Sequence, residues 1–339
     1  MENKQYSKDM KKLVFMVCAA LLMLVSCQSR ENEALMKKSS SGKTCEVLLA
    51  ADDNVYRGDA KVLIDSIFRA PQDGLPQCEP RFDMVRITVD KLNKTQMFRM
   101  HRNIVTVSID ATNDDKVHIA RDQYAAPQVV INVAAKSDTS LLRILRQNEP
   151  IVINAIYGAE HLRIENAFYN QRNVELMNRF KEKFGFRMTF SDEFRWAAED
   201  ADFAWIRKET KDFGLSVLVT TMPYRSQDQF VYEKIDNRLD TMMRRHVPGP
   251  AEGSYMGTER RVELQHRRVE YPGSQYCVET RGLWRTFGDF MGGPFVSYTI
   301  LSLDNTQIVE VVGFVYCPRF DKRDYLMQVE GICNSIKWE

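Results

Sequence analysis

Phe203-Ala204-Trp205-Ile206-Arg207-Lys208 and Leu215-Ser216-Val217-Leu218-Val219-Thr220-Thr221-Met222 read as two strands. A helix follows over 228–246, starting after Asp228 and stopped by Pro248-Gly249-Pro250. Several antiparallel strands then run to Cys317, and a closing helix begins at Asp321, with Asp324 placed as the acidic partner of a capping box and Tyr325, Val329, Ile332 and Ile336 turned inward. Strands and helices segregated in this way predict an α+β fold with an antiparallel sheet flanked by helices.

Upstream, Glu46–Ala51 reads as a buried strand and 59–69 as a helix, after which Pro71, Gly74 and Pro76 break the chain. Strands at Met84–Val89, Asn103–Asp110, Lys116–Arg121 and Gln128–Ala134 and a helix over 91–101 complete a mixed strand and helix region. Asp138 is a good N-cap for a long helical stretch reaching Phe184, which Pro150 is expected to interrupt. Ile164 with Phe168, and Leu176 with Phe180 and Phe184, have the four-residue spacing of a buried stripe. All four tryptophans and most glycines lie beyond Gly185. The expected organisation is therefore two α+β domains, 44–184 with the long helix and 185–339 with the antiparallel sheet, preceded by a signal peptide over 1–26 and a flexible tether over 27–43.

The N-terminal segment carries the clearest chemistry. Lys11-Lys12 precedes an uncharged apolar run, Leu13–Val25, too short to span a bilayer comfortably and laid out as an export signal. The run ends in Leu24-Val25-Ser26-Cys27, which resembles the bacterial lipobox, so Cys27 is expected to take the lipid and to hold the folded part beside a membrane. Gln28–Lys43, rich in Ser, Lys and Glu, reads as the tether.

The 339 residues hold 47 Lys and Arg against 46 Asp and Glu, and without 1–26 the balance is 43 against 44. That even charge gives no reason to expect nucleic acid as a partner. Five histidines far apart, no H-E-x-x-H, no C-x-x-C and no G-x-S-x-G leave no metal, cofactor or catalytic motif to assign. Five cysteines remain after Cys18 and Cys27; Cys277 and Cys317 lie in strand-like runs, open to a cross-strand disulfide or to two buried thiols.

Gly288–Tyr298, with Arg281 and Trp284 before it, is the most unusual segment. Two readings are open. Arg281, Trp284, Asp289, Phe290, Met291 and Phe295 form a ligand or partner surface, or a strand enters through a glycine turn with its aromatics in the core.

Pro248–Met256, Arg281-Gly282-Leu283-Trp284, Gly288–Tyr298, Gly313-Phe314-Val315-Tyr316 and Phe320-Asp321-Lys322-Arg323, together with the lipobox, resemble an uncharacterised lipoprotein family of the Bacteroidota, domain-of-unknown-function family 4837, over nearly the whole mature chain. The resemblance implies export, lipidation and an outer-membrane location facing the periplasm, and brings no activity. The layout of the second half is similar to the PsbP/Mog-like fold, which implies nothing about function. A lipid-anchored, non-enzymatic binding or envelope-assembly factor with an envelope protein as partner is the expectation; the rival is an envelope hydrolase with a noncontiguous site around Asp289, Asp321 and Asp324.

Overall fold

The computed structural model describes residues 37–338. Cys27, where the lipid is expected, and the expected signal peptide over 1–26 lie outside the described residues. Contacts divide the chain into two units, one of residues up to 57 with 85–144, the other of 58–84 with 145–338.

The first unit holds a five-stranded mixed sheet in the order β2-β1-β3-β5-β4: β1 Glu46–Ala51, β2 Asp83–Ile87, β3 Asn103–Ile109, β4 Lys116–Arg121 and β5 Val129–Ala135. Strands β1, β3 and β5 run parallel, and β4 returns antiparallel along β5. The parallel strands are buried almost throughout, as both-face burial demands of such apolar runs. The helix expected over 91–101 is instead two short ones, Val89–Lys94 and Gln96–Arg99, because Thr95 between them is extended (φ −116°, ψ 111°). The last residues of the expected tether are not free: Ser40 and Arg102 donate their backbone N–H groups to the carbonyls of Ala126 and Ser41, and the Ser40 hydroxyl donates to Pro127 O at 2.6 Å.

The second unit opens with α1 (Gly58–Phe68). The long helix Asp138–Asn170, which starts in the first unit and continues into this one, runs through Pro150 uninterrupted. Proline removes one helical donor. Pro150 and Arg146, the residue four back, are both solvent-exposed, so the lost hydrogen bond falls on the solvent side of the helix. The break falls later, at Asn173, whose side chain accepts from Leu176 N at 3.0 Å and starts the helix Val174–Phe184. Gly185 ends it with φ +77°, a conformation glycine adopts without strain.

The large sheet of this unit is antiparallel, in the order β10-β12-β13-β14-β9-β8-β7, with β11 also on β12. After the short β6 Phe186–Arg187, which pairs with Lys337–Trp338, its strands are β7 Arg195–Asp200, β8 Phe203–Glu209, β9 Gly214–Pro223, β10 Tyr255–Thr258, β11 Gln265–Val269, β12 Cys277–Phe287, β13 Gly292–Leu301 and β14 Gln307–Tyr316. Alternation assigns the two faces. One presents Cys277, Val296, Tyr298, Val309 and Val311 to the closing helix, Arg323–Cys333. The other presents Val278, Phe295, Val312 and Phe314 to the helix Tyr232–His246, hereafter the cover helix.

Asp324 does not cap the closing helix. The carboxylate of Glu79 takes that role from far along the chain, accepting from Lys322 N at 2.8 and 3.0 Å and from Arg323 N at 2.8 Å, while Asp324 pairs with Arg323. Tyr325 is only partly buried. Cys277 and Cys317 are buried thiols with no disulfide. Register explains it: Cys277 pairs with Ile300 and Ile300 with Val309, eight positions short of Cys317, so roughly 26 Å of strand separates them.

Candidate functional site

The cover helix ends at His246, and Val247-Pro248-Gly249-Pro250 turns the chain away. The strands beneath it run further. Register places Arg207, Ser216 and Phe314 in one row across β8, β9 and β14, and Glu209, Gly214 and Tyr316 in the next. Because no helix of the described residues covers these rows, they floor a groove of about 680 Å³, walled by Val247–Pro250 and Met256 and by Trp284, Thr286 and Met291. That volume is in the range of ligand and peptide sites.

The groove is aromatic at its base. Trp284 meets Phe314 edge-on at 5.4 Å and lies 6.4 Å from Tyr316, and Trp205 lies 6.4 Å from Phe314. The Trp284 indole is held by a hydrogen bond to Val315 O at 3.1 Å, whereas the buried Trp205 indole N–H has no acceptor in the described residues. Arg207 stacks over Trp205 at 5.2 Å and pairs with Glu209 at 3.1 Å. An aromatic floor with a charged rim suits extended ligands that carry apolar side chains.

The six residues of Gly288–Tyr298 and its approach are parted by strand alternation. Trp284 and Met291 line the groove; Phe290, on the β12–β13 turn, is fully exposed beside them. Asp289 accepts from Phe290 N and so shapes the turn. Phe295 is completely buried under the cover helix. Arg281 faces the opposite side of the sheet, where it joins Glu279 at 2.7 Å and Glu330 of the closing helix at 2.6 Å. His161 approaches the same Glu330 at 3.3 Å, and Arg267 pairs with Glu279 at 2.7 Å. Burial would raise the Glu330 pKa, but the Arg281 charge and the hydrogen bonds from His161 and Arg281 outweigh it and bring it down to about 2. This network joins the closing helix to the sheet and offers nothing to a ligand.

Sequence reasoning missed the groove-floor residues Trp205, Phe314 and Tyr316. The signal was present in the stop at Pro248, which implies bare sheet beyond the cover helix.

Of the acids named for a hydrolase, Asp324 pairs with Arg323, Asp289 caps its own turn and Asp321 is exposed. A different set does align: His266 Nδ1 lies 3.0 Å from Thr280 Oγ1, and its Nε2 lies 3.3 Å from Asp236. Thr280 is completely buried, so no substrate reaches that hydroxyl in this conformation. Among the described residues no cluster of His, Cys, Asp and Glu is arranged to hold a metal, and no helix is long and apolar enough to cross a membrane.

Residues 173–335 match the domain of unknown function DUF4837. Residues 40–169 match another, DUF8532. The likeness to DUF4837 expected over nearly the whole mature chain is thus confined to its second half, the first half matching a different family model, and the groove lies within the DUF4837 segment. No curated protein matches the chain. Among solved structures, a thioesterase from Haemophilus influenzae is similar at 10% identity, over 43% of this chain and 91% of that one, with a TM-score of 0.15, a likeness that says nothing of this chain's chemistry.

Proposed function

We propose that the protein is a lipid-anchored lipoprotein of the bacterial cell envelope, held at the outer membrane facing the periplasm, and that its DUF4837 segment docks a partner protein without chemistry. The observation that carries the docking role is the aromatic groove with Phe290 standing fully exposed at its rim. A solvated Phe beside Trp and Met side chains is the composition of a protein interface, where aromatic anchors supply most of the affinity. The anchor rests on Leu24-Val25-Ser26-Cys27 behind its basic and apolar run.

Two experiments test the two parts. Membrane fractionation with intact mass should find the wild-type chain lipidated and sedimenting with membranes and Cys27→Ala unlipidated and released; equal mass and equal partition would overturn the anchor. For docking, a photo-crosslinking phenylalanine analogue is placed at position 290 in cells. It should give a discrete protein adduct that Tyr316→Ala weakens, while the same analogue at Leu303, exposed at the opposite end of the β13–β14 pair, gives none. Identical patterns from both positions, or no adduct from position 290, would remove the docking role.

A further inference from the structure

The ribbon of β10 and β12 that gives Met256 and Thr286 to the groove turns Tyr255 and Phe287 to its other side, where they stack at 5.2 Å with their planes 16° apart. Arg244, in the last turn of the cover helix, lies over Tyr255 at 4.6 Å, and Arg285 lies over Phe287 at 5.1 Å. The result is a four-member ladder, Arg244–Tyr255–Phe287–Arg285, next to the turn that carries Phe290. Its central contact depends on Gly257, because a Cβ there would come within 2.8 Å of the Phe287 ring.

A guanidinium held over a ring face is attracted by the ring's negative face and keeps its N–H fork, which lies at its edge, for other partners. That fork binds carboxylates in its plane, two hydrogen bonds at a time. Arg285 is partly satisfied by Glu259 at 3.4 Å, a carboxylate it shares with Arg261. Arg245, the neighbour of Arg244, is taken by Asp200 at 2.5 Å. Arg244 itself is exposed and no carboxylate of the described residues pairs with it. On the groove's far rim, exposed Lys211 likewise has no ion-pair partner in the described residues.

Resting on the docking role given above, we infer that the partner contributes an acidic segment, which lays a carboxylate against the stacked Arg244 while its apolar side chains meet Phe290 and the groove. An oriented cation beside an exposed aromatic selects against basic and neutral segments as much as it attracts acidic ones.

The photo-crosslinking analogue at position 290 of the full chain is the probe, with the crosslinked partner peptide sequenced by mass spectrometry. The segment captured by wild type should be rich in Asp and Glu. Arg244→Glu should lower adduct yield about tenfold and Arg244→Lys by less, since lysine keeps the charge and loses the fork. Arg244 is exposed, and a thermal melt equal to wild type verifies that each variant is folded. An adduct to a segment without acidic residues, or one that survives Arg244→Glu at full yield, overturns this inference and leaves the docking role standing. No adduct from wild type overturns both.

Discussion

Arg281→Ala is expected to cost the fold about 3–5 kcal/mol, measured as the loss in unfolding free energy in urea. Arg281 is nearly inaccessible, and it is the group through which two buried carboxylates, Glu279 and Glu330, tolerate one another. Removing it leaves Glu330 with His161 and Glu279 with Arg267 and abolishes the ionic tie between β12 and the closing helix. The same experiment has a pH signature. Glu330 titrates near 4.5 when unfolded and at about 2 when folded. A depressed carboxyl stabilises the fold above its unfolded value, and that contribution, on the order of 3 kcal/mol, is lost as pH falls from about 5 toward 2. Wild type should therefore weaken over that window and Arg281→Ala should weaken much less. A cost under about 1 kcal/mol with an unchanged pH profile would mean that the network is solvated and does not hold the helix.

How this network escaped the sequence, and how much else did not, follows from the range of the forces involved. Local signals were read well: β4 occupies Lys116–Arg121 as its pattern predicts, and Leu176, Phe180 and Phe184 are buried as their spacing requires. What the sequence hid was supplied from a distance. The cap of the closing helix comes from Glu79, so the nearby Asp324 looked right and was not. Arg281 looked like an interface anchor because it stands near Trp284. Yet Glu279 and Arg281 are two apart on one strand and must share a face, while Trp284, three further on, must take the other. That alternation was legible. The partner Glu330, which makes burial of the arginine tolerable, was not. The groove was half legible: Pro248 announces where the cover ends, but only the register shows which aromatics are then bare.

Gly293→Ala should be the second damaging change, costing about 3 kcal/mol and altering the groove directly. A Cβ at position 293 would stand 2.1 Å from Val315 O and 3.1 Å from the Trp284 indole nitrogen. Both are partners in the hydrogen bond that holds Trp284 at the groove wall. The clash is with a backbone carbonyl just past the end of the β13–β14 ladder, whose last pair is Phe295 with Phe314, so no side chain can swing aside, and β13 must move away from β14. Overpacking of this kind costs about 1–3 kcal/mol, and the broken indole bond adds about 1 more. Gly158 is the contrast, since a Cβ there meets nothing within 4 Å and the residue is exposed inside a helix. Gly158→Ala should stabilise by about 0.4–1 kcal/mol through the unfolded chain. Urea unfolding followed by tryptophan fluorescence separates the two. Gly293→Ala should shift the native emission as Trp284 loses its bond, and Gly158→Ala should leave it unchanged. A Gly293→Ala protein with wild-type stability and emission would mean that the strands have room to spare, and that the glycine pair Gly292-Gly293 does not serve the packing of the groove.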